Sequence, residues 1–399
     1  QPAAAPSGVM PSGPMSKGAD DQHEAMKRVV KSIYAPTRYV FVADRFSNFI
    51  SVTDIVSGEH IETLNFSMRP HVMELARDDA MLAVGSPEVS AIEFMNLRTR
   101  ERRRVELPSP VFQIFFVPQT NLVALGLRDQ VGMINYKDFT VRIFPRRFDS
   151  DQRQTLINTY YSLLFSSFSQ SFWVLDEDRP FIYHRYGGAE PLDAPWKTID
   201  LSRHIGTGSG LGIGVASPED DLLAMTTDDG SEGLVYFPAQ DKVLSTGPMR
   251  TVGSTNEPMI MPYIDAYSKH VIFADMEGNV ALFDLVNGNG KPERFTVKFS
   301  PRFIRTGWLE STWILAGDKG IMFQSFKDPS DRKVVRFVPE VMNMWVTGDS
   351  KTALYTLDEG APTIYRFDIR TREQLPPIRV RGVTMASMLR MGSNNSICY

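Results

Sequence analysis

From Tyr39 onward the chain alternates short apolar runs with polar turns. The stretch Tyr39–Phe66 sets the unit, with strand-length runs at Tyr39–Asp44, Phe49–Ile55 and Ile61–Phe66, parted by Arg45–Asn48 and by a turn holding Ser57–Gly58. Runs of this length, rich in β-branched and aromatic residues and bounded by turn formers, predict β-strands. The pattern then repeats. First runs begin near Tyr39, Met81, Asn121, Ser171, Leu222, His270, Thr312 and Thr352, at intervals of about 40 to 50 residues, the spacing of four-stranded propeller blades.

Each unit continues with a second run, such as Ser90–Met95, Asn279–Leu285 or Thr363–Asp368. Third runs are weaker and more charged, as outer edge strands should be: Arg102–Leu107, Phe139–Phe144, Trp196–Leu201, Arg294–Val297 and Val334–Phe337. A fourth type of run precedes the next unit, as at His71–Ala76, Val111–Val117 and Gly210–Ala216. The first unit has no such run before it, and the last is followed by a surplus one, Thr384–Arg390. Pairing that strand with the first unit closes a ring and removes the open sheet edges. The reading is therefore all-β, a β-propeller of eight four-stranded blades closed by the C-terminal strand. Seven blades, with the unit near Ser171 or Leu222 misread, is the alternative, and two separate sandwiches a further one.

Three segments follow. Residues 1–38 form an extended N-terminal arm, residues 39–391 the propeller and residues 392–399 a tail. Within the arm, 21–33 has helical spacing, with Ala25, Met26, Val29, Val30 and Ile33 on one stripe. A helix this short needs a surface to lie on, its own body or a partner.

The unit YVFVAD–ISVTDIVSGE–IETLNF–MRPHVMELARDD, kept in later copies such as VIFADMEGNVALFDLVNG and ALYTLDEGAPTIYRFDIRTRE, resembles the YVTN-type propeller repeat. More loosely it is similar to the propeller subunits of quinoprotein amine dehydrogenases and to haem d1-type propellers. The resemblance spans Tyr39 to Arg390 and implies blade architecture more than activity. No unit carries the GH…WD pattern of intracellular WD repeats, so the chain is WD40-like in architecture alone.

Composition narrows the classes. A net charge of −4, from 43 basic and 47 acidic residues, lacks the basic footprint of a nucleic-acid binder. The one cysteine, Cys398, rules out an intramolecular disulfide and a cysteine metal cluster. No apolar run reaches the roughly 18 residues of a membrane-spanning helix. The opening Gln-Pro-Ala-Ala-Ala-Pro reads as a chain whose signal peptide has been removed, which places it in the periplasm or outside the cell.

Candidate chemistry is sparse. Loops after the first runs are mostly acidic: Asp44, Asp129, Asp176, Glu177, Asp178, Asp228, Asp229, Asp275, Glu277, Asp318, Asp358 and Glu359. Connectors into the fourth-type runs carry Arg69, Arg203, Arg250, Arg302 and Arg381. In a propeller both sets share one face. The arginines could hold an anion, a cofactor carboxylate or an acidic peptide, or each could pair with a neighbouring acidic loop. His71 and His204 fall at connector ends and could serve as a ligand or base. No H-x-x-x-H pair and no C-x-x-C-H site occurs, which excludes covalent haem. The glycine run Gly206–Gly214 has no helix after it to receive a phosphate, so small residues there serve close strand approach. The segment 155–169, with Tyr160, Tyr161, Phe165 and Phe168, is the candidate docking patch, or core if it is a lengthened strand.

The functional expectation is a non-catalytic scaffold or binding subunit of an extracytoplasmic complex, with no catalytic residues, metal or cofactor assigned. Its partner contacts would be the arm (Met26, Val30) and the aromatic insert. The alternative is an oxidoreductase or cofactor-carrying subunit with a haem or quinone-type group at an Arg/His-lined mouth.

Overall fold

The computed structural model describes residues 38–76, 81–128, 130–145, 162–188, 190–206, 208–250, 259–336, 340–357 and 362–391. The arm, the proposed helix at 21–33, Asp129, Tyr160, Tyr161, Asp358, Glu359 and the tail lie outside the described residues.

The chain is an all-β, eight-bladed propeller of four-stranded sheets. Strands β1 (Tyr39–Asp44), β2 (Phe49–Asp54) and β3 (His60–Asn65) open it; β4 (Val72–Leu75), β5 (Met81–Ser86), β6 (Val89–Asn96) and β7 (Arg102–Glu106) form the next sheet. The third comprises β8 (Val111–Phe116), β9 (Leu122–Leu127), β10 (Val131–Asn135) and β11 (Thr140–Phe144), and the fourth β12 (Leu163–Ser166), β13 (Ser171–Leu175), β14 (Phe181–Tyr186) and β15 (Lys197–Asp200). After a one-turn helix α1 (Ser202–Ile205) come β16 (Leu211–Ala216), β17 (Leu223–Thr227), β18 (Glu232–Phe237) and β19 (Lys242–Pro248). The sixth sheet is β20 (Tyr263–Ile264), β21 (His270–Ala274), β22 (Asn279–Asp284) and β23 (Glu293–Thr296). The seventh is β24 (Ser300–Gly307), β25 (Thr312–Asp318), β26 (Gly320–Ser325) and β27 (Arg332–Arg336). The last holds β28 (Val341–Val346), β29 (Thr352–Leu357), β30 (Thr363–Asp368) and β31 (Gln374–Arg379), and β32 (Ala386–Met391) completes the first.

The expected closure is present. β32 pairs antiparallel with β1, with Phe41 opposite Arg390 and Val42 opposite Leu389. Eight sheets, not seven, are formed, and the extra length around Ser171 and Leu222 lies in the β14–β15 loop and in α1.

Burial explains the run types. The second strand of each sheet is covered on both faces, so β1, β5 and β13 are buried throughout and read as unbroken apolar runs. The last strand has one covered face: β27 (RKVVR) alternates between exposed and half-buried positions and so reads as charged. The β2–β3-type turns share one device. An Asp or Asn ends the third strand and its Oδ1 accepts N–H groups of the turn: Asp54 from Val56 and Ser57, Asn96 from Arg98 and Thr99, Asn135 from Lys137, Asp284 from Val286 and Asn287, Asp368 from Thr371. These are Asx turns, and after Asp54, Asn96, Asn135 and Asp368 the residue four places on is left-handed: Gly58, Arg100, Phe139 and Arg372.

The chain divides into two compact units, Gln1–Gln119 with Met342–Ser396 and Thr120–Val341 with Ile397–Tyr399. In the first, Tyr39, Phe41, Ile50, Leu64, Met73 and Leu82 centre one core cluster, and Val42, Leu354, Ile364 and Leu389 a second. In the second unit, Trp173, Leu211 and Met225 centre one cluster, Ile272, Trp313 and Leu315 another, and Ile264, Phe273 and Phe283 a third.

Candidate functional site

Three of the connector arginines, Arg69, Arg250 and Arg302, work as staples on the turns between the second and third strands. In the first unit, Arg69 donates from Nη2 to Glu88 Oε1 at 2.5 Å and from Nη1 to the Arg45 carbonyl at 2.9 Å. In the second, Arg302 grips Asp318 with two parallel hydrogen bonds of 2.7 and 2.8 Å. Arg250 donates to the carbonyls of Asp229 and Gly230 at 3.1 and 3.3 Å. Arg203 pairs with Asp241, which also lies 3.4 Å from His204 Nε2. Asp241 sits on the β18–β19 turn, at the other end of its sheet from the β17–β18 loop. Arg381 is exposed, and its charge falls on His60, whose pKa is lowered first by burial and then by that guanidinium. Since Arg302 is about a third exposed on its side chain, R302A is expected to cost no more than about 1 kcal/mol, read as a small shift in the urea midpoint.

The acidic loop residues cap their own turns. Asp44, fully buried, accepts the N–H groups of Phe46 (2.8 Å) and Thr384 (3.1 Å). Asp176 accepts those of Asp178 and Arg179 and the Tyr183 hydroxyl at 2.6 Å. Asp275 accepts those of Glu277 and Asn279. Burial still holds the Asp275 carboxyl above its usual range. Exposed acidic charge does collect in the second unit: Glu177, Asp178, Asp228 and Asp229 are on the surface. The Asp228 carboxyl is raised by burial and by Asp178 and Asp229.

His71 is exposed beside Arg69 in the first unit. Burial of one side of its ring lowers its pKa, and Arg69 adds to this, Glu88 opposing. Thus Arg69 and His71 form one electrostatic group, while Arg203 and His204 are held by a single aspartate elsewhere.

Sequence reasoning missed two polar clusters of the second unit. His184, 8% exposed, places Nε2 3.0 Å from Ser171 Oγ, which donates to Asp220 Oδ2 at 2.8 Å. The residue types are those of a hydrolase triad, but the order is wrong: the serine lies between histidine and aspartate, with its proton committed to the carboxylate. Ser171 is also fully buried, so no substrate reaches it.

The other cluster surrounds Glu310. Its Oε2 accepts the Ala266 N–H at 2.9 Å and its Oε1 the Thr306 hydroxyl at 2.7 Å, which itself lies 2.8 Å from the Tyr263 hydroxyl. Next to it, Asp265 lies 3.1 Å from His270 Nδ1, and His270 stacks on Phe326 at 4.0 Å. Trp308, Leu309 and Glu310 are consecutively left-handed, with φ of 51°, 55° and 63°, a conformation costing of order 1 kcal/mol per residue that persists only under firm anchoring. The isolated E in TGWLEST gave no signal of this. Burial holds the Glu310 carboxyl above its ordinary 4.5, Asp265 adding and His270 opposing. The folded chain therefore binds that proton more tightly than the unfolded chain. Stability from this group rises as pH falls through the raised folded pKa and is fully gained below the ordinary value. E310Q is expected to flatten that part of the stability–pH curve, measured by urea midpoints at about pH 7 and pH 5.

The later glycines of the run serve close approach. A Cβ on Gly210 would lie 1.7 Å from the Glu177 carbonyl oxygen, and one on Gly214 2.7 Å from that of Ala224. Of the aromatic insert, Phe165 is core at 7% exposure, whereas Phe168 on the following turn is 44% exposed. No group of three or more His, Cys, Asp or Glu suited to a metal occurs among the described residues. No helix among them is long and apolar enough to cross a membrane.

No family model matches the sequence, and no curated protein does. Solved structures do. A dihydro-heme d1 dehydrogenase, NirN, in complex with DHE aligns with a TM-score of 0.65 at 13% identity, over 86% of this chain and 74% of that one. Apo AztD from Citrobacter koseri aligns with a TM-score of 0.55 at 10% identity, over 90% and 98%. The chain is a distant fold relative of both. At such identities the likeness is one of architecture, and function must be argued from the site.

Proposed function

We propose that the chain is a non-catalytic propeller scaffold, a binding subunit of an extracytoplasmic protein complex. The observation that carries this reading is the division of labour at the turns. Most polar side chains that sequence singled out for chemistry, among them Asp44, Asp176, Arg250 and Arg302, hold loops, while large apolar side chains stand exposed on turns at both ends of the sheets. Leu309 is 78% exposed, Val56 71%, Val286 66%, Tyr267 64% and Phe46 63%. Rigid turns that display apolar side chains suit partner recognition.

Several finer points belong to the same proposal. Residues 39–391 act as one propeller domain of YVTN-type repeats, the arm with Met26 and Val30 tethers the partner, and Phe168 of the aromatic insert, 44% exposed, adds to the contact. A native pull-down with the full chain and with residues 1–33 removed tests this. The expected result is a stoichiometric protein partner whose recovery falls with the deletion. Recovery of the full chain always alone would overturn the reading; unchanged recovery after deletion would remove the arm from it. Cell fractionation checks the compartment, and a cytosolic chain would contradict it.

A cofactor-carrying role is the second reading. It is favoured by the adjacency of Arg69 and His71 in the first unit and by the fold likeness to a haem d1 enzyme. A haem or quinone-type group would there meet one guanidinium and one exposed imidazole.

A further inference from the structure

We propose that Arg45, Phe46, Arg69 and His71 of the first unit form a docking surface for an acidic segment of a partner protein. The inference rests on the binding reading above and names the chemistry of one contact. Arg45 lies on the β1–β2 turn and is exposed. Its guanidinium meets the Met385 thioether at 3.3 Å and has no carboxylate partner among the described residues. The same guanidinium lies 5.9 Å from the centre of the Phe46 ring, which is 63% exposed. Neither residue is loose. The Arg45 N–H donates to the Met385 carbonyl at 2.9 Å, and buried Asp44 accepts the Phe46 N–H at 2.8 Å. Arg69 ties the group together through the Arg45 carbonyl. Its carboxylate partner among the described residues, Glu88, is on a side chain 62% exposed, so that pair is solvent-screened and open to exchange.

Among the described residues, two guanidiniums against one exposed carboxylate leave this surface positive in a chain whose net charge is −4. The complementary ligand is therefore anionic. A small anion such as phosphate would need donors converging on one point. Here the cations spread over separate turns beside an exposed aromatic ring, the mixture of arginine and aromatic side chains typical of protein interface centres. A carboxylate-bearing segment with an apolar side chain for Phe46 fits that mixture.

The test uses the full chain and a fluorescein-labelled glutamate-rich peptide carrying one leucine, read by anisotropy. The peptide is expected to bind with a salt-sensitive affinity, and the double variant R45E/F46A to weaken it by about tenfold or more. Both side chains are exposed, so the variant should keep the wild-type urea midpoint. Equal affinity in the variant overturns the proposal, as does equally tight binding of inorganic phosphate or an oligothymidine. So does rim-dependent self-association in sedimentation velocity, which would put the acidic loops of a second copy on this surface. Failure of the wild-type chain to bind the peptide, with the native partner still recovered, sinks this inference and leaves the scaffold reading standing.

Discussion

Replacing Arg185 with methionine is expected to lower stability by about 3–5 kcal/mol, seen as a large fall in the urea midpoint. Arg185 is 1% exposed, and in place of a carboxylate its guanidinium donates to four backbone carbonyls. Nε donates to Tyr186 at 3.2 Å, Nη1 to Leu192 and Ala194 at 3.2 and 3.1 Å, and Nη2 to Pro191 at 3.1 Å. The Phe144 ring lies 4.2 Å beneath the guanidinium. From the other side Arg142 donates to the carbonyls of Gly187 and Glu190. The β14–β15 loop thus has its carbonyls pointed inward at two cations. Methionine fills the volume but leaves the carbonyls of that loop without donors. Lysine keeps the charge but cannot reproduce a planar fork to four acceptors, so R185K is expected to fall between R185M and wild type. A wild-type midpoint in R185M would mean the loop re-forms its hydrogen bonds with water at no cost.

The second large effect separates two readings of the glycine run. G210A is expected to cost about 2–4 kcal/mol, because its methyl would sit 1.7 Å from the Glu177 carbonyl oxygen and backbone must move. G208A, with nothing within 4 Å of its added methyl, is expected to stay within about 0.5 kcal/mol of wild type. A phosphate-cradling loop would differ at G208A, which would keep its stability but lose a bound ligand.

Much of the fold was legible because each second strand is buried on both faces. YVFVAD, SFWVL and HVIFA are unbroken apolar runs for that reason, and the Asx turns punctuate them at regular intervals. The closing strand was legible as a surplus run, and β32 does lie on β1. Two last strands gave no such signal. β19 (KVLSTGP) is mostly exposed or half-buried, and β31 (QLPPIR) carries Pro376 and Pro377, which an edge strand tolerates because one side of its backbone needs no partner.

The candidate site was less legible, since a sequence shows charge but not its partner. Asp44 and Asp275 read as rim charges, yet both are fully buried and hold turn N–H groups. Arg203 and His204 look like a paired site in SRHIGTG, yet Asp241, thirty-odd residues on, takes both. The Glu310 network needed three separated segments to meet, and Arg45 with Phe46 looked like an ordinary turn. Each depends on long-range contacts that no local pattern encodes.

The scaffold reading is tested most directly by the absorption spectrum and metal content of the protein purified from its native source without denaturation. The expected result is no absorption beyond the aromatic band and no stoichiometric metal. A chromophore at near one per chain, its spectrum altered by a substitution of Arg69 or His71, would contradict the reading and establish the cofactor-carrying role in its place.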